Sequence, residues 1–258
     1  MNTNRNSITS EGGNLANTNR QVVTGMTSTR KTALMAGLLY VLTFVSIPSL
    51  AIYGPVKGAN YILSAGPDTA AIIGGILEII VALAGIGTAV VLFPVLKKQN
   101  EAAALGLVAY RILESSTIFV GVTFLLSIVS LRQVGAGADA LVTSHALAVL
   151  YDRIFLLGQS FFPAICDLLL GFLLYRSRLV PRALSLIGIV GGPLLITGYL
   201  AVMFGLIGQH ATLAGLSALL VALFEFSLGV WLTVKGFNRS AITSLSEKPQ
   251  KDEAIRVA

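Results

Sequence analysis

Between about residues 32 and 234 the chain alternates long apolar stretches with short polar interruptions. Helices are predicted over 32–52, 70–96, 103–131, 153–175, 182–207 and 211–234. Each is long enough to cross a hydrocarbon core about 30 Å thick at about 1.5 Å per residue. The interruptions carry turn chemistry: Gly54-Pro55, Gly58, Asn60 and Gly66-Pro67 precede the second stretch, and two glycines fall in 135–139 before the fourth. Pro48, Pro163 and Pro193 lie inside stretches and are predicted to bend them. The pattern predicts an all-α fold, a six-helix transmembrane bundle.

The flanks read differently. Residues 1–31, rich in Asn, Ser, Thr and Gly, are predicted to be a disordered polar leader, and 235–258 a polar tail, around a single membrane domain over 32–234. The first stretch exceeds the roughly 7–15 apolar residues of a signal-peptide core, and no small-x-small cleavage site follows it.

Composition agrees. The 258 residues are 55% hydrophobic and 12% charged, against roughly 25% charged in an ordinary soluble domain, so lipid is the expected solvent and partner. The net charge of +6 does not point to nucleic acid, because its cations sit beside the apolar stretches. Arg30, Lys31, Lys97, Lys98, Arg176, Arg178, Arg182, Lys235 and Arg239 fall on the side that holds both termini, and only Lys57, Arg132 and, at its boundary, Arg153 on the other. By the positive-inside rule both termini are predicted to be cytoplasmic. Cys166 is the single cysteine, so no intramolecular disulfide can form.

Chemistry is confined to charges inside the stretches. Counted from the predicted cytoplasmic helix ends, Glu114 lies roughly 16 Å deep, Glu225 about 14 Å, and Arg111 and Asp167 about 12 Å. These four form a candidate interior polar layer. A charge at that depth costs on the order of 2.5–3.5 kcal/mol even on a permissive scale, so each side chain must face the bundle interior and find a partner or be neutral. Arg111 and Glu114, three apart, share one helix face. One cation against three acids leaves at least one carboxyl protonated or in contact with water. A structural staple, a proton or ion relay, and a substrate site are the three readings of such a layer.

Glu78 lies nearer the opposite surface, at a height that predicts a contact with Arg153. Gln159, Pro163 and Asp167 recur at four-residue spacing, placing Gln159 as a candidate polar lining on one stripe with Asp167. Gly188 and Gly192, and Ala71 and Gly75, are small-residue pairs predicted to pack helices within the bundle. The segments 92–110 and 172–190 share an apolar helix end, a basic turn and a small-residue helix start, which fits either a duplicated hairpin or convergence on one turn design. His145 and His210 are predicted surface residues, two ligands without recognisable spacing for a metal. The sequence holds no P-loop, no G-x-G-x-x-G after a strand, no H-E-x-x-H and no G-x-S-x-G. No enzyme activity, no cofactor and no metal is expected.

The segments GLLYVLTFVSIPSLAIYGPV (37–56), GTAVVLFPVLKKQNEAAALGLVAYRILES (87–115) and GFLLYRSRLVPRALSLIGIVGGPLL (171–195) resemble a bacterial integral membrane family known as domain of unknown function 4386. The likeness runs from Ala36 to Phe237. It implies a multi-helix bacterial membrane protein and carries no activity, cofactor or catalytic residues with it; the expected location is the bacterial cytoplasmic membrane. The expected function is a small transport or permeation protein whose acids handle a proton, a cation or a cationic solute. The alternative is a structural or accessory membrane protein whose buried charges only stabilise the bundle. Oligomeric state is not legible in the residues.

Overall fold

In the computed structural model, residues 27–58 and 60–247 are described; the predicted leader up to residue 26 and the end of the tail from 248 lie outside them. Helix α1 (Ser28–Thr43) starts where the Thr27 hydroxyl accepts the Arg30 amide at 3.3 Å. It gives way to a 3-10 turn over Phe44–Ser46 and then to α2 (Ile47–Val56). Pro48 has no N–H for the Phe44 carbonyl, and Ile47 N–H takes that carbonyl in the tighter 3-10 bond, so the predicted break falls here. Helices α3 (Thr69–Leu96) and α4 (Glu101–Gln133) form an antiparallel hairpin, with Asn100 Oδ1 capping α4 through the Ala103 amide at 3.0 Å.

The fourth span is one 41-residue rod over Gly137–Ser177. It comprises a 3-10 turn, α5 (Leu141–Leu156), a π turn over Leu157–Phe161 and α6 (Phe162–Ser177). The prediction that this span starts at 153 is therefore corrected. Helix α5 mixes polar residues among its apolar ones: Ser144, Ala148 and Tyr151 face inward at helical spacing, while His145 and Arg153 are exposed. A uniform apolar run is absent there, although the helix is formed. The π turn follows from Pro163, which cannot donate to the Gln159 carbonyl; the ladder widens, and Phe162 N–H bonds Leu157 O. Helices α7 (Arg182–Met203) and α8 (Thr212–Val234) complete the bundle, and α7 continues through Pro193 without a change of helix type.

Six spans are thus long and apolar enough to cross a membrane. The packing has the polarity expected in lipid. On α3 the inward residues are Gly75, Glu78, Ala82, Gly85, Thr88 and Ala89, while Ile76, Leu83 and Val90 point out. Small residues let helices approach where no water-driven burial is available. A Cβ on Gly192 would meet the Ala164 carbonyl oxygen at 2.6 Å, and one on Gly188 would meet the Phe224 ring at 2.8 Å. Both glycines therefore serve contacts inside the bundle, to α6 and α8, and Gly75 likewise faces Leu126 and Val122 of α4.

Each membrane face is fastened by an arginine. On the face that holds residues 27 and 247, called the terminal face, Arg30 donates to Leu232 O at 2.7 Å and Thr233 O at 2.5 Å, satisfying the free carbonyls that end α8. Residues 239–247 are helical there, and Ala241 and Leu245 are buried in the same core as Leu96 and Leu174, so the start of the polar tail packs onto the bundle. On the far face Arg132 pairs with Asp68 at 2.8 Å and lies 4.3 Å from the centre of the Tyr61 ring. The Tyr61 hydroxyl donates to Asp68 Oδ1 at 2.6 Å, and Gln133 Nε2 donates to Asp68 Oδ2 at 3.1 Å. The Tyr61 hydroxyl first, then Gln133 and Arg132, hold the Asp68 carboxyl below its ordinary range, and burial beside that carboxylate pushes the Tyr61 hydroxyl up to about 12.

Candidate functional site

Arg111 and Glu114 project from α4 one turn apart, and the packing of α4 against α6, with α8 beside α1 and α7, brings four helices around them. Arg111 Nη1 donates to both Glu114 oxygens at 2.9 Å. Its Nη2 donates to Glu225 Oε1 of α8 and, at 3.5 Å, to the Tyr40 hydroxyl of α1. The guanidinium carbon lies 5.7 Å from the centre of the Tyr40 ring, within the range of a cation–π contact. Asp167 of α6 comes within 3.7 Å of Nη2, and Cys166 Sγ donates to Glu114 Oε2 at 3.7 Å. The four residues of the predicted layer meet, joined by Tyr40 and Cys166.

The layer is unevenly satisfied. Arg111 is 3% exposed and Asp167 0%, yet neither Asp167 oxygen has a hydrogen bond and Arg111 Nε has none. A fully ionised layer would carry three negative charges against one positive. Two protons, or bound cations, among the three carboxyls would balance it. A buried carboxyl without donors is stable only if it is neutral or shares a cation.

Two cavities adjoin these groups. The first, of about 180 Å³, is lined by Arg111, Glu114 and Glu225 together with Thr43, Pro163 and Gln159. The second, of about 390 Å³, opens toward the far face, where Lys57, Asp152, Gln209 and His210 line it. Gln159, Leu195 and Ala218 belong to the walls of both. Gln159 therefore stands at their junction, on the π turn that Pro163 produces. Helix α2 packs on α3 and α4, and Tyr53, with Lys57 just past its end, lines the second cavity.

The predicted contact of Glu78 with Arg153 is not formed, and that expectation is corrected. Glu78 is buried and accepts from Ser49 at 3.1 Å, with the Tyr151 hydroxyl approaching the same carboxyl. Arg153 is exposed. Height was inferred correctly enough, but Tyr151 and Arg153, two apart on α5, point to opposite sides of that helix, and the tyrosine takes the inward one. Ion pairing across this layer falls instead to Lys57 and Asp152, at 2.8 Å. Sequence reasoning missed this pair, as it missed Tyr40 and Ser49. Tyr40 lies three helical turns into the first span and Ser49 next to Pro48, and nothing in their own spacing marks either as a partner of an acid.

His145 on α5 and His210 before α8 are both exposed. Among the described residues no group of His, Cys, Asp and Glu is placed to hold a metal ion.

A bundle of six membrane-length helices closed around a buried guanidinium and its acids defines a multi-pass helical membrane protein. The chain belongs to the family described as Domain of unknown function (DUF4386), whose model matches residues 35–236. No curated protein matches the chain, and no solved structure matches it.

Proposed function

We propose that the protein is a small transport or permeation protein of the bacterial cytoplasmic membrane, in which the layer of Arg111, Glu114, Asp167 and Glu225 handles a proton or a cationic solute. The carrying observation is that Arg111, Glu114 and Glu225 line a cavity that shares walls with a second one opening to the far face. A staple alone requires matched charges and close packing; this layer has an excess of acid and an adjoining void. The charge distribution supports termini in the cytoplasm, so the far face would be the outer one. The test is flux in liposomes containing the purified protein. Glu225→Gln is expected to abolish a flux driven by an imposed pH or cation gradient while the thermal unfolding temperature stays near that of the unaltered protein. Silence of the unaltered protein toward protons, alkali cations and amines removes the proposal.

The structural alternative has its own support, since Arg111 faces acids of α4, α6 and α8 at once and could fix their register. An accessory role would show as one constant partner trapped by crosslinking in native membranes.

A further inference from the structure

The far-face cavity has a composition that the charged layer alone does not explain. Tyr53, Tyr151, Phe155 and Tyr199 all line it. Tyr53 and Tyr151 meet edge to face with centroids 5.7 Å apart, and Phe155 follows Tyr151 at 5.8 Å, so one wall is a continuous aromatic surface. Asp152 supplies a carboxylate beside it. The volume, about 390 Å³, falls within the roughly 300–1,000 Å³ of small-molecule sites.

The cavity wall already holds an ammonium. Lys57 Nζ sits 2.8 Å from Asp152 Oδ1 and 5.4 Å from the centre of the Tyr151 ring. A carboxylate on one side and an aromatic face on the other is the chemistry that recognises a desolvated ammonium ion. The lysine reaches this place from the end of α2 at the cavity mouth, and its long stem is displaceable.

We infer that the far-face cavity is a binding site for a small organic ammonium ion with an apolar body, and that the Lys57 side chain is its internal competitor. The ammonium of the ligand replaces Lys57 Nζ against Asp152 and Tyr151, while its apolar body lies along Phe155 and Tyr199. Entry is from water, because Lys57, Asp152, Gln209 and His210 at the mouth are polar. Beyond Gln159 the next charged groups are Glu225, Glu114 and Arg111, two acids and one base with Asp167 behind them. Acid therefore exceeds base along the whole route, which favours a cation over an anion or a zwitterion. This assignment rests on the transport reading only in taking the cavity as the solute's entry.

Calorimetric titration of the purified full chain in detergent, with phenethylammonium as the probe, tests it. Saturable binding is expected, with none for 2-phenylethanol or phenylacetate at the same concentrations. Asp152→Asn should weaken binding about tenfold or more, the size of one charged hydrogen bond. Tyr199→Ala should also weaken it, whereas Lys57→Met should tighten it several-fold, because the competitor is gone. A merely structural Lys57–Asp152 pair would make both of its variants bind alike or worse. Equal affinity for the alcohol, or unchanged or weaker affinity in Lys57→Met, overturns the inference. Liposome flux separates it from the proposed function. Proton flux through a protein that does not bind the probe would leave transport standing and remove the site. The predicted binding pattern without any flux would leave the site standing and remove transport.

Discussion

Arg111 Nη2 stands 3.7 Å from Asp167 Oδ1 and donates no hydrogen bond to it, although the same guanidinium bonds Glu114 and Glu225. Asp167 is thus the least satisfied acid of a layer in which Arg111 is the shared cation. Loss of the arginine would leave three carboxyls facing one another at low dielectric.

Arg111→Leu is accordingly expected to destabilise the bundle by about 3–5 kcal/mol, the range for removing one partner of a buried ion pair. Thermal unfolding in detergent reads the loss. Adding Glu225→Leu to that variant should recover part of it, since one stranded acid is removed.

The close approaches through glycine predict a contrast between two substitutions. Gly192→Ala drives a methyl group into the Ala164 carbonyl, at 2.6 Å, and should lower stability by about 1–3 kcal/mol. Gly215 on α8 has nothing within 4 Å of a built Cβ, and Gly215→Ala should raise stability by up to about 1 kcal/mol through helix propensity. Equal unfolding temperatures for the two variants would contradict the packing described.

Removing the Arg30 contacts frees the carbonyls that end α8. Arg30→Ala should lower stability by about 1 kcal/mol. Hydrogen exchange is the sharper readout, with faster exchange expected over 231–247 and little change in α4.

The far-face clamp predicts a pH dependence. Because Tyr61, Gln133 and Arg132 hold the folded Asp68 carboxyl below its ordinary value of 3.8, its ionised form favours the folded state. Its contribution is complete above that ordinary value and is lost as pH falls through the lower folded one. The unfolding temperatures of the unaltered protein and Asp68→Asn should therefore differ at pH 6 and converge as pH drops below about 4. A constant difference across that range would show that Asp68 acts there by packing and not by charge.

Six spans long and apolar enough to cross a membrane, and the charges embedded in them, were legible in the residues, because lipid demands a run of apolar residues of fixed minimum length and makes any exception conspicuous. The ends of the fourth span were not. Helix α5 passes beyond the apolar run, stabilised by an inward face of Ser144, Ala148 and Tyr151 that hydropathy does not register.

Depth alone also failed to choose partners. It placed Glu78 level with Arg153, but rotation about the α5 axis decided that Tyr151 would face inward and Arg153 outward. The Arg111–Glu114 pair was readable from its i,i+3 spacing. The Lys57–Asp152 pair, joining residues 95 apart, was not.

The sequence by itself determined the class of protein, the number of its spans and the presence of embedded acids, since these depend on hydropathy and on rise per residue. Tertiary structure decided which acids share Arg111, that Tyr40 joins them, and that two cavities meet at Gln159. Those features depend on the rotation of each helix and on where Pro48 and Pro163 divert the chain, and both are settled only when the helices pack.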